Sequence, residues 1–119
     1  MNGKKLMNGK KLINGKNGSV ILKEMKIAST FWSRFMGLMG KTPSFDEGLL
    51  IKPCNSIHCF FMKVPIDVLF IDDENKVVRK IDSMKPWMVS PIVLGAKAVI
   101  EANAGVFKDV EMGDILSIQ

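Results

Sequence analysis

The sequence predicts a mainly β domain, a compact sandwich or barrel that can take a jelly-roll form, with one short helix in its N-terminal half packed on the sheet. Three observations predict it. Short apolar runs recur between clusters of turn-forming residues, only the stretch 31–39 has helical spacing, and Pro53, Pro65, Pro86 and Pro91 fall between runs, where a missing N–H is tolerated. With 119 residues, 47% of them hydrophobic, the chain suits a single core.

The chain opens on an imperfect repeat in which Asn2-Gly3-Lys4, Asn8-Gly9-Lys10 and Asn14-Gly15-Lys16 recur between apolar pairs. Asn-Gly pairs tolerate positive φ and favour tight turns, while the apolar pairs are short for a strand. Residues 1–18 therefore read as a basic tail, flexible or folded into a short hairpin that extends the sheet, and residues 19–119 as one β-rich domain. Residues 20–28 are strand-like. Ser29 or Thr30 can cap the helix that follows, in which Phe31, Phe35 and Leu38 share a side with Arg34 beside them, and Gly40 and Pro43 end it. Further strands are expected at 48–51, 56–62, 66–71, 76–81, 92–94, 98–102 and 114–118, with Asp72-Asp73-Glu74-Asn75 as a hairpin turn.

Charge and cysteine content narrow the function classes. The formal net charge is +5, from 17 basic and 12 acidic residues, but Lys4, Lys5, Lys10, Lys11 and Lys16 lie in the repeat, so the rest of the chain is balanced. Phosphate backbones are bound by clustered cations, and nucleic-acid binding by the domain is not expected. No apolar run has the length of a secretory leader's core or of a membrane-crossing helix, which gives the expectation of a soluble, cytoplasmic protein with no membrane partner. Cys54 and Cys59, five positions apart in extended-looking sequence, point to opposite faces and are expected to be reduced thiols.

Several motifs then follow in order: Arg34-Phe35-Met36-Gly37-Leu38-Met39, Asp46-Glu47-Gly48, Asn55-Ser56-Ile57-His58, Phe61-Met62, Pro65-Ile66-Asp67, Lys85-Pro86-Trp87 and Gly113-Asp114. Together, over about residues 23–118, they resemble the domain-of-unknown-function family 192. The resemblance implies a compact, mainly β sandwich of prokaryotic type with no assigned reaction. The repeated N-terminal segment departs from the family pattern.

The segment 54–72 concentrates the candidate chemistry, because His58, the single histidine, and Asp67 sit within apolar sequence. Polar groups removed from water cost free energy unless they are paired. In a strand over 56–62, Ser56, His58, Phe60 and Met62 share one face and Ile57, Cys59 and Phe61 the other. Asp67 shares its strand face with Leu69 and Ile71, so its charge calls for Arg34, His58 or backbone amides. The outcomes left open are a structural ion pair or turn cap, a ligand site, and acid–base catalysis.

Trp87, fixed by Pro86, can form one wall of a cleft with Lys85 supplying a cation, or can close the core. Glu101, between Ile100 and Ala102, faces the same cleft or points outward. The expected ligand-binding set is His58, Asp67, Trp87 and Arg34. One histidine and two cysteines do not complete a zinc site, and Met36, Met39, Met62, Met84 and Met88, though suited to copper(I), read more simply as core filling. No metal and no cofactor are expected. Cys59 points away from His58 in a strand, and no serine elbow, phosphate loop or dinucleotide fingerprint is present.

The function these features favour is binding of a small polar ligand in a cleft near His58 and Asp67. The alternatives are an enzyme in which Asp67 orients His58 as a general base, and a protein-interaction module with an apolar patch around Phe60 and Met62. Oligomeric state is not legible.

Overall fold

In the computed structural model, residues 7–119 are described; the part of the repeat before them lies outside the described residues. The elements are β1 (Met7–Asn14), β2 (Val20–Ala28), α1 (Phe31–Met36), β3 (Glu47–Ile51), β4 (Ile66–Ile71), β5 (Val77–Met84), β6 (Ala98–Asn103) and β7 (Leu116–Ile118). The seven strands form one mixed sheet in the order β5-β4-β6-β3-β2-β1-β7. β2 and β3 are parallel, and α1 lies in the crossover between them, as a parallel pair demands. The fold is mainly β with one short helix.

The two outermost strands also approach each other. Lys76 bridges Ile115, the Val77 amide donates to the Asp114 carbonyl at 2.9 Å, and the Leu116 amide donates to the Asn75 carbonyl at 2.9 Å. The sheet therefore curls without becoming a closed barrel.

Side chains alternate across the pleat and build two cores. One face buries Leu12, Leu22, Met25, Leu50, Leu69, Ile71, Ile100 and Phe107. The other buries Leu49, Ile51, Ile66, Val68, Phe70 and Val99, and it is covered by Leu38 and by Ile57, Cys59, Met62 and Val93 from the loops. Strand β4 is buried at every position because it serves both cores.

Residues 7–14 form a strand that pairs antiparallel with β2 and with β7. Leu12 is wholly buried, and the buried Asn14 side chain donates to Asp114 and accepts from the Lys16 amide. Lys16 completes the anchor through Glu111 at 2.9 Å.

Helix α1 is shorter than its sequence pattern. Thr30 is the N-cap, and its hydroxyl and the Ser33 side chain cap each other's backbone amides. Gly37, at φ 48 and ψ −128, ends the helix before the expected stop at Gly40. Beyond it, Leu38 enters the second core, whereas Phe35 is exposed.

Two expected strands are loops. Residues 56–62 make one bridge, His58 with Val89, and otherwise follow an irregular path with Phe61 at φ 61. Their burial falls at Ile57, Cys59 and Met62, a spacing that no strand provides. Residues 92–94 run into a turn at Gly95, with Leu94 exposed.

Candidate functional site

A cleft of about 250 Å³ opens between the C-terminal turn of α1 and the loop that follows β3. Arg34, Met36, Gly37 and Met39 form one side, and Cys54, Ser56, His58 and Met62 the other. Ile51 of β3 and Glu101 of β6 complete the lining from the sheet.

Glu101 is the most unusual group there. Its register opposite Leu49 and Val68 aims it at the second core, on the side of the sheet that the α1 turn covers. It is buried, and loss of solvent pushes its carboxyl up to about 8, against a smaller opposing pull from the Leu38 backbone amide. No cation contributes to this balance. Gly37 lies over it, for a Cβ at that position would stand 3.3 Å from Glu101 Oε1.

Arg34 reaches across the cleft mouth and donates through Nη1 to the Pro53 carbonyl at 2.8 Å. Its Nε is buried without a hydrogen-bond partner. Both ring nitrogens of His58 are engaged by backbone: Nε2 donates to the Phe35 carbonyl at 3.0 Å, and Nδ1 accepts from the Phe60 amide at 3.1 Å. These partners fix the Nε2–H tautomer and tie α1 to the loop. The half-buried Cys54 donates from Sγ to the Ser56 carbonyl at 3.1 Å. Burial raises both thiols, Cys59 to about 12, and both are free.

Asp67 is not in the cleft. It projects with Leu69 and Ile71 toward the first core, and its carboxylate accepts from the backbone amides of Ser83, Gly105 and Phe107 at 2.9, 2.9 and 3.2 Å. Its partners are neither Arg34 nor His58. Trp87 stands outside the cleft, exposed, at φ 72. Its ring meets those of Phe60 and Phe61 at centroid distances of 5.9 and 4.7 Å, continuing a row of rings from Trp32 through Phe35 and His58. The structure thus brings Arg34 and His58 together, joins Trp87 to them through Phe60, and sets Asp67 apart. Met62 is buried, so the apolar patch expected around Phe60 and Met62 is instead an exposed aromatic one, in which Phe60, Phe61 and Trp87 continue from Trp32 and Phe35.

Cys54, Met36 and Met39 were not among the expected site residues. For Glu101 the signal was present: a lone carboxylate inside the apolar run Ala98-Val99-Ile100-Glu101-Ala102 must meet something polar. Among the described residues no group of three or more His, Cys, Asp or Glu side chains could hold a metal ion, and no helix is long and apolar enough to cross a membrane.

A curled mixed sheet with a loop-covered cleft on its outer face defines a small β domain of a recurring kind. A structure from Novosphingobium aromaticivorans, of a protein of unknown function, superposes with a TM-score of 0.79 at 19% identity, covering 94% of this chain and 84% of that one. One from Sinorhizobium meliloti gives a TM-score of 0.75 at 21% identity, covering 99% and 97%. These likenesses concern the fold. In sequence, a UPF0127 protein of Thermococcus sibiricus is 40% identical over 105 residues, 82% of this chain and 67% of its relative. The chain belongs to the domain-of-unknown-function family 192, described as an uncharacterised ACR, whose profile it matches over residues 12–118.

Proposed function

We propose that this protein is a binding module for a small polar ligand, which sits in the cleft between the α1 turn and residues 52–62. The observation that carries the reading is Glu101, a buried carboxyl without a cation at an otherwise largely apolar cleft. A polar group in that setting costs stability, and a ligand that pairs with it recovers the cost. Arg34 and His58 remain in the ligand-binding set, with Glu101 added. Asp67 supports the fold beneath. The general-base alternative ranks lower because Asp67 does not meet His58, whose ring nitrogens both hold backbone.

Native mass spectrometry of the gently purified protein, followed by a thermal-shift screen of small metabolites, tests the reading. A true ligand raises the melting temperature of the wild type but not of Met39→Trp, in which the indole fills the cleft. An equal rise in both proteins would place the ligand elsewhere and defeat the proposal.

One observation favours a second reading, a protein-docking surface: the exposed rings of Phe60, Phe61 and Trp87 pack on one another above a pinned backbone, in which the main-chain N–H of Trp87 donates to the Cys59 carbonyl and that of Cys59 to the Met88 carbonyl, both at 2.7 Å. Replacing Phe61 and Trp87 with serine would then abolish partner capture and leave small-molecule uptake intact.

A further inference from the structure

Five polar side chains are buried among the described residues: Asn14, Ser33, Asp67, Ser90 and Glu101. Four are matched from within the chain. Asn14 holds Asp114 and the Lys16 amide, Ser33 holds Thr30, Asp67 accepts three backbone amides, and Ser90 accepts from the Ile57 amide while donating to the Pro91 carbonyl. Glu101 has one backbone amide, that of Leu38, and no cation, and it is the one of the five that lines the cleft.

Arg34 lines the same cleft with a buried Nε that has no partner. It forms no ion pair with Glu101 or with any other described residue. One cavity is therefore lined by a guanidinium with an unpartnered Nε and by a buried carboxyl that becomes an anion when a cation meets it, neither of them ion-paired within the described residues. A half-buried guanidinium suits a carboxylate and a buried carboxyl suits a cation, so the combination calls for a molecule carrying both signs. Apart from Cys54, Ser56 and His58 on one side, much of the remaining lining is thioether and aliphatic, with Met36, Met39 and Met62 among Leu38, Ile51 and Ile57. That surface suits an unbranched or branched hydrocarbon or thioether chain.

Resting on the binding reading above, we infer that the ligand is a small zwitterion of the amino-acid type, its ammonium on Glu101, its carboxylate on Arg34 and its apolar chain against the methionines. A cleft of about 250 Å³ has room for such a molecule. On binding, the Glu101 carboxyl loses its proton to solvent and pairs as carboxylate with the ammonium. Arg34 presents N–H donors to the ligand carboxylate while keeping its bond to Pro53, a geometry that guanidinium allows because it carries several donors.

The test uses three matched probes, norleucine, pentylamine and hexanoate, titrated calorimetrically into the full chain, with amide chemical shifts of Leu38 and Met62 reporting where they bind. Norleucine is expected to bind at least about tenfold more tightly than either single-charge probe, the worth of one charge-assisted hydrogen bond. Glu101→Gln removes the advantage over hexanoate, and Arg34→Gln removes the advantage over pentylamine. Near pH 7, norleucine binding releases a proton, seen as heats that differ between buffers of different ionisation enthalpy, and Glu101→Gln releases none. If hexanoate binds as tightly as norleucine and Glu101→Gln changes nothing, the cleft still binds but its ligand is a plain anion, and the zwitterion is ruled out. If no probe shifts Leu38 or Met62 while a copurified molecule does, the zwitterion again fails and the cleft stands. If neither a probe nor any copurified or screened molecule perturbs those amides, both readings fall.

Discussion

Gly37 and Glu101 are close neighbours across the α1–sheet interface: a methyl group at residue 37 would lie 3.3 Å from Glu101 Oε1. Gly37 also has φ 48, where a Cβ is strained. Gly37→Ala is therefore expected to cost about 1–2 kcal/mol, from backbone strain and the tightened contact together. Urea unfolding would show it as a lower midpoint with an unchanged slope. Wild-type stability in this variant would mean that the turn does not hold this conformation in solution.

Glu101 makes stability depend on pH with a definite sign. Its carboxyl is raised from the ordinary 4.5 to about 8, so between those values the folded protein keeps a proton that the unfolded chain has released. Folding is then favoured most below about pH 4.5, as far as this group is concerned, and the advantage is lost as pH climbs toward 8. The full loss is of the order of a few kcal/mol. Glu101→Gln, which cannot ionise, should flatten this part of the profile and be more stable than wild type at mildly alkaline pH. Parallel profiles for the two proteins would show that Glu101 is compensated in some other way.

Asp67 and His58 have separate structural duties, and their variants should separate cleanly. Asp67→Ala leaves the amides of Ser83, Gly105 and Phe107 without their acceptor and should cost about 3 kcal/mol or more. Hydrogen exchange would quicken at Gly105 and Phe107. The amides around the cleft, Leu38 and Phe60, should keep their protection relative to the global stability.

His58→Ala removes the link between the Phe35 carbonyl and the Phe60 amide, with an expected cost of about 1–3 kcal/mol. Exchange should accelerate at Phe60 and leave Gly105 and Phe107 at wild-type protection relative to global stability. A variant that disturbed both amide groups equally would contradict the placement of the two residues on opposite faces.

What the sequence makes legible follows from how strictly local pattern constrains structure. Residues 66–71, apolar but for Asp67 and set between a proline and an acidic turn, are strand β4 residue for residue, and 98–102 differs from β6 only at its end. Once 66–71 is a strand, Asp67 must share a face with Leu69 and Ile71, and the structure agrees. Residues 56–62 are another matter. Their apolar content fits a strand, yet a loop can bury Ile57, Cys59 and Met62 while exposing Phe60 and Phe61, and alternation alone does not distinguish the two. The face on which His58 lies depended on that choice. So did its supposed meeting with Asp67. Glu101 was visible as a carboxylate in a strand, but its neighbours come from α1 and β3, far away in the chain, and no local pattern names them.

The N-terminal repeat offers a sharp closing test, since its two readings predict opposite results at adjacent residues. As strand β1, it buries Leu12 completely against β2 and β7 and leaves Lys10 and Lys11 exposed. Leu12→Ala should then cost about 2–5 kcal/mol, the usual range for a core leucine, whereas Lys11→Ala should change stability by less than about 0.5 kcal/mol. A flexible tail would make both substitutions silent. Leu12→Ala should also loosen the far end of the sheet, because β7 pairs with β1 and is preceded directly by Ile115, which bridges Lys76 just ahead of β5. Faster exchange at Leu116 and Gln119, whose amides donate to Asn75 and Lys11, would report that coupling directly.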